Sequence, residues 1–376
     1  MRADSERESV LIDCLPYMIT TPLTTTNLTH NQSPPLLKVA LDVHLAWHVA
    51  AVQEEGSSPK PPRRFQSADL LKWMGAQVAA GYRVVCCYEA GPFGYTLHRQ
   101  LTALGVTNYV IRPRHWDEQH RRIKTDRTDA LAMLNALDRF CAGNKKALAL
   151  VQVPTEVQEQ RRSQSRVRQS LVRDLHRLSA RARGLALQYG LALSGRWYGP
   201  RSWPRCQRQL PAWFITLLEP LRAGVLCLWE QIQQLTQSLE AASIHPRPKG
   251  MGTLTEQILE REVGDWNRFK NRRQVSSYLG LCPGEHSSGP RRVQGPVTKC
   301  GNPRLRWVLV ELAWRLLRYQ PHYRLTRKWK ARLLDPTATP GRRKQALVAL
   351  ARGFGVDWWR LCTGQTTPEK LGLQMD

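Results

Sequence analysis

The chain has 376 residues, 56 of them Lys or Arg against 30 Asp or Glu, for a formal net charge of +26 and a sequence pI near 10.3. Such an excess points to a polyanionic partner, with nucleic acid ahead of an anionic membrane surface. The sequence carries no run of about 18 apolar residues and does not open on a signal-peptide pattern, so a cytoplasmic protein with no membrane partner is expected. Nine cysteines without a Cys-x-x-Cys pair argue for reduced thiols rather than a zinc site or a disulfide framework, with Cys86 and Cys87 on opposite faces of a strand.

Residues 1–36 include TTPLTTTNLTHNQSPP, which lacks apolar periodicity, and a disordered extension is expected there. From Lys38, KVALDVHLAWHVAAV alternates, with Val39, Leu41, Val43 and Leu45 on one face and Ala40, Asp42 and His44 on the other, the period of a strand. ADLLKWMGAQVAAGY predicts a helix closed by Gly81, RVVCCYEAG a strand ending at Glu89, TLHRQLTALG a helix and VTNYVIRP a strand. A further helix is expected from Asp126 to about Phe140. Strands alternating with helices predict an α/β domain over 37–152.

Beyond Pro154 the pattern changes. Two long helical stretches, one dense in arginine (EVQEQRRSQSRVRQSLVRDLHRLSARARGLALQYG) and one apolar (AWFITLLEPLRAGVLCLWEQIQQLTQSLEAA), flank a Trp, Pro and Gly-rich break. They predict a helical hairpin or coiled-coil arm over 153–245, whose arginine face is either solvated or laid on phosphates. A mainly α-helical region is expected over 246–365. It runs from a Gly-x-Gly turn entering a helix, through a helix and a Gly/Ser-rich polar loop, to a long amphipathic helix and a basic C-terminal helix, with a flexible tail over 366–376. No internal repeat is evident.

Four acidic residues stand out. Asp42 lies within a strand, Glu89 ends another, and Asp126 and Asp129 share one face of a helix turn by their i, i+3 spacing. Four carboxylates on separate elements of an α/β domain suit a pair of divalent cations about 4 Å apart acting on a phosphodiester, and oxygen ligands favour Mg²⁺ or Mn²⁺. Asp126 is equally suited to the helix N-terminus, and Asp129 to pairing with Lys124 or Arg127.

ALDVH, YEAGPFGY and KTDRTDA resemble the RuvC-like DEDD domain of the IS110-family insertion-sequence transposases. GMGTLTEQILEREVGDWNRFKN, YLGLCPGEHSSG and VTKCGNPRLRWVLVELAW resemble that family's C-terminal transposase domain, with the HSSG form closest to an IS1111-like subgroup. The resemblance implies an RNase H-like first domain with Asp42, Glu89, Asp126 and Asp129 as catalytic metal ligands. It also implies a serine nucleophile in the SSG loop, at Ser288 or alternatively Ser287. In the family the serine attacks a DNA phosphate and forms a covalent phosphoserine link, and strands are exchanged to excise or insert the element. A non-coding bridge RNA pairs with donor and target DNA, and the protein works as a homo-oligomer, a dimer or tetramer, in a bacterial or archaeal cell.

Around these positions Lys124, Arg127, Arg291, Arg292, Lys299, Asn302, Arg304 and Arg306 are candidates to hold nucleic acid, with a capped, solvated helix start as the other role open to the last four. Two other functional classes are compatible with the residues. One is a RuvC-type metal-dependent nuclease with no covalent step; the other is a nucleic-acid-binding transposon relic.

Overall fold

The computed structural model describes residues 34–114, 116, 125–243, 246–289 and 291–376, without the side chains of His286, Ser288, Arg291 and Arg292. Residues 1–33 of the expected extension and Lys124 lie outside the described residues. The chain divides into two compact units, Met1–Val153 and Pro154–Asp376.

The first unit is built on a five-stranded mixed sheet ordered β3-β2-β1-β4-β5. Its elements are β1 (Leu36–Val43), β2 (Trp47–Glu54), β3 (Lys60–Gln66), α1 (Ser67–Ala79), β4 (Arg83–Glu89), α2 (Thr96–Ala103), β5 (Thr107–Ile111) and α3 (Asp126–Cys141). β1–β2 and β2–β3 pair antiparallel, whereas β1–β4 and β4–β5 pair parallel. Alternation sends Leu37, Val39, Leu41 and Cys86 to a core shared with Leu70, Met74 and Leu101 of α1 and α2. Leu36, Ala40 and Cys87 go to the opposite face, against Ala130, Met133, Leu134 and Leu137 of α3.

Two expectations are corrected here, and one strand is added to those expected. Leu36 already belongs to β1 and is buried, so the strand starts ahead of Lys38. The stretch read as one strand is a hairpin: the His44 amide donates to the Trp47 carbonyl at 3.1 Å, and Leu45, expected inward, is 83 % exposed at the turn. β3 went unread because KPPRRFQ has two prolines and little apolar alternation; it sits at the sheet edge, where missing N–H donors are tolerated.

In the second unit α4 (Glu156–Gln188) and α6 (Ala212–Ala241), joined through the short α5 (Trp203–Gln207), form the hairpin. Leu175, Ala182 and Ala186 meet Phe214, Leu218 and Val225. α6 is long and apolar enough to cross a membrane by length and composition alone; here one face of it, with Phe214, Leu218 and Val225, is buried against α4. The Trp-rich connector is part of the core: Trp197 is fully buried and its indole donates to Ser179 Oγ at 3.0 Å.

The rest of the unit comprises α7 (Thr253–Val263), a 3₁₀ turn at Trp266–Arg268, α8 (Arg272–Tyr278), β6 (Pro283–Ser288), β7 (Arg291–Val297), α9 (Pro303–Tyr319), α10 (Arg324–Leu334), α11 (Pro340–Cys362) and α12 (Pro368–Leu371). Leu305, Leu309 and Leu312 of α9 pack with Leu350 and Phe354 of α11. The loop expected to be irregular is a two-stranded antiparallel ribbon, β6–β7. The tail expected to be flexible is packed instead: Leu371 and Leu373 are buried, and Gln320 binds the Gln374 backbone through both its amide atoms at 2.7 and 2.9 Å.

Candidate functional site

Asp42 is the penultimate residue of β1 and Glu89 the last of β4. These are neighbouring parallel strands with Leu41 opposite Tyr88, so both carboxylates leave the sheet at the same end. α3 covers one face of that sheet, and its first turn carries Asp126 and Asp129. The helix begins there because Thr125 and Thr128 form a reciprocal capping box, Thr128 N donating to Thr125 Oγ1 at 3.2 Å and Thr125 N to Thr128 Oγ1 at 3.1 Å. Acidic residues at this end also suit the helix dipole.

All four expected carboxylates therefore act on one locality. Burial pushes the Asp42 carboxyl above its ordinary value; the His44 ring opposes this, and the charges of Asp126, Asp129 and Glu89 add to it. Negative charge concentrated on half-buried oxygens is what a cation would relieve.

Two participants went unread in the sequence. His44, next to the hairpin turn, puts Nε2 3.5 Å from Asp42 Oδ2 and 3.4 Å from Asp126 Oδ2, and one donor atom from each of the three lies within 4.8 Å of the others. The alternation placed His44 on the Asp42 face, but the hairpin that turns it toward α3 is a tertiary fact. Trp116 donates its indole N–H to Glu89 Oε1 at 2.6 Å, and the Arg114 amide donates to the same oxygen at 3.2 Å. These bonds fix one oxygen of the Glu89 carboxylate. The donors brought within reach of one another, the Asp42 and Asp126 carboxylates and the His44 imidazole, suit a divalent cation.

In the second unit Ser287 and Ser288 end β6, opposite Arg292 and Arg291 of β7. Ser287 Oγ donates to Glu285 Oε1 at 2.9 Å, and Gly289 turns the ribbon with a φ of 59°. The side chains of Ser288, Arg291 and Arg292 lie outside the described residues.

Beyond the ribbon Lys299, Asn302, Arg304 and Arg306 have structural surroundings. Lys299 has a φ of 58°. Asn302 Oδ1 caps α9 by accepting from the amides of Arg304 and Leu305, while its Nδ2 donates to Glu262 Oε2 at 2.7 Å. Glu262, fully buried, also takes a two-pronged contact from Arg166 of α4 at 2.9 and 2.8 Å and has Arg304 at 3.8 Å. Burial would raise the Glu262 carboxyl; the Arg166 and Asn302 hydrogen bonds and the guanidinium charges outweigh it and hold the group below its ordinary value. Arg306 Nη1 donates to the carbonyls of Gly280 and Lys299 at 3.3 and 3.0 Å. Beneath it Gly301, φ 123°, is pressed on Gly280: a Cβ at Gly301 would lie 2.6 Å from Gly280 N and closer still to Ser277 O. The Gly280 and Gly301 positions are thereby explained by backbone crossing backbone.

Residues 247–327 match the family described as Transposase IS116/IS110/IS902. The protein y4rJ of Sinorhizobium fredii, named as a transposase, is 31 % identical over 326 residues, 78 % of this chain and 80 % of that one. The chain belongs to the IS116/IS110/IS902 transposase family. This transposase is also similar to that of insertion sequence element IS1111A of Coxiella burnetii, 28 % identical over 289 residues, covering 72 % of this chain and 75 % of the relative. That of IS1328 of Yersinia enterocolitica is 26 % identical over 283 residues, 71 % and 80 % of the two chains.

Proposed function

We propose that this transposase cuts and rejoins DNA with Asp42, Glu89, Asp126 and Asp129 as the ligands of Mg²⁺ or Mn²⁺ and Ser288, alternatively Ser287, as nucleophile. The observation that carries the reading is the meeting of four carboxylates from β1, β4 and α3 at one end of a mixed sheet. The strand order β3-β2-β1-β4-β5, three antiparallel strands followed by two parallel, supports an RNase H-like assignment for the first unit. When bound, the cations supply charge that activates the attacking oxygen and stabilises the leaving one.

The serine Oγ forms a bond to phosphorus as the bond from phosphorus to the deoxyribose oxygen breaks. The hydroxyl proton passes to a nearby base and the leaving oxygen takes up a proton; attack by a second DNA hydroxyl on the phosphoserine reverses the sequence. For Ser287 the base at hand is Glu285. A net charge of +26 suits donor and target DNA and a bridge RNA that selects them. Because the serine and the carboxylates lie in different units of the chain, a homo-oligomer can bring them together between subunits.

The test is a search for a covalent protein–DNA adduct on denaturing gels, with the chain co-expressed with its flanking DNA and incubated with junction DNA and Mg²⁺. An adduct lost in Ser288→Ala or in Ser287→Ala supports the reading and names the nucleophile. Cleavage without adduct in any variant would replace it with a metal-dependent nuclease.

A further inference from the structure

We infer that His44 is an additional ligand of the carboxylate site, binding through Nε2 between Asp42 and Asp126 and turning the site's preference from Mg²⁺ toward Mn²⁺. The inference rests on the proposed metal reading and deepens it.

Nε2 of His44 is buried and has no hydrogen-bond partner among the described residues. It lies 3.5 Å from one carboxylate oxygen and 3.4 Å from another, both beyond a good N–H···O bond. Neighbouring donors each about 2.1 Å from one first-row ion are separated by roughly 3.0 Å in octahedral and 3.4 Å in tetrahedral arrangement, so these spacings are those of ligands around a shared ion.

The ring is also held in place. His44 stacks on Trp47 with centroids 3.8 Å apart at 26°, and the Arg64 guanidinium lies over the Trp47 ring at 3.8 Å. That three-layer stack draws on β2, β3 and the β1–β2 turn and leaves the imidazole few orientations. An imidazole among carboxylates is poorly matched to Mg²⁺, which prefers oxygen and dehydrates reluctantly, and well matched to Mn²⁺, which accepts nitrogen.

The experiment is metal titration of the full chain, by calorimetry for Mg²⁺ and Mn²⁺ and by pulsed electron paramagnetic resonance for bound Mn²⁺, in the wild type, His44→Ala, His44→Gln and Asp42→Asn/Asp129→Asn. The expected result is a nitrogen coupling to Mn²⁺ in the wild type that both His44 variants lose. Mn²⁺ affinity should fall about tenfold in His44→Ala, with Mg²⁺ affinity changing less than about twofold. His44→Gln keeps a polar side chain at the position, so a common loss of coupling is not a folding artefact. A nitrogen signal that persists in both variants, or an unchanged Mn²⁺/Mg²⁺ ratio, overturns the inference while leaving the carboxylate site intact. Wild-type binding indistinguishable from Asp42→Asn/Asp129→Asn overturns the metal reading itself, and the His44 inference with it.

Discussion

Replacing Glu262 by Gln removes the one buried charge that Arg166, Asn302 and Arg304 converge upon. The carboxylate receives two hydrogen bonds from Arg166 and one from Asn302, and hydrogen bonds to charged groups contribute about 1.5–3 kcal/mol each. Losing one partner of a buried pair typically costs about 3–5 kcal/mol. Arg166 and Arg304 retain 39 % and 23 % side-chain exposure and regain some hydration, which places the cost at the lower end, about 3 kcal/mol. For a unit of this size, that corresponds to a fall in Tm of about 6–12 °C.

Ten of the 13 tryptophans belong to the second unit, so tryptophan fluorescence during thermal unfolding reports on it. The pH dependence follows from the sign of the shift. A carboxyl held below its ordinary value of 4.5 stabilises the fold above that pH and ceases to do so as pH falls through the lower folded value. The wild type should therefore lose its advantage over Glu262→Gln on acidification below about 4.5. A Tm change under about 2 °C at neutral pH, or a difference that grows on acidification, would refute the assignment.

Trp116→Phe removes the shorter of the two hydrogen bonds to Glu89 Oε1 and should weaken Mn²⁺ binding about tenfold by calorimetry, with little change in Tm. Gly301→Ala forces a Cβ onto the Gly280 backbone and should destabilise the second unit by about 3 kcal/mol or more, measured by urea unfolding. If the arginine face of α4 lies on phosphates, Arg162→Gln/Arg173→Gln should reduce the slope of log affinity against log salt by about 2 for duplex DNA. An unchanged slope would assign that face to solvent.

The strands of the first unit were legible where one face alternates cleanly, as in Val39, Leu41 and Cys86, and the four carboxylates could be singled out by type and position. His44 could not be, because its role depends on a chain reversal three residues long that brings β1 back against β2. β3 was hidden by Pro61 and Pro62, which suppress the strand signal yet are harmless at an edge. α10, RLTRKWKARLL, went unread beneath its positive charge; Leu333 is its buried contact with the core. The packed end of the chain was missed because its anchor is Gln320, a polar side chain whose hydrogen bonds to Gln374 no hydrophobic pattern announces.

The pairing of β2 offers a practical handle. Val43 faces His48, whereas Leu37 faces Glu54, so the β2–β3 turn lies at the end of β1 opposite Asp42. Gly56 already adopts a left-handed φ of 73° in that turn, and the residues around it are exposed. A fluorophore or affinity peptide inserted between Gly56 and Pro59 would therefore sit across the sheet from the carboxylates. An insertion of an odd number of residues inside β1 would turn every later side chain of the strand to the wrong face, Asp42 among them.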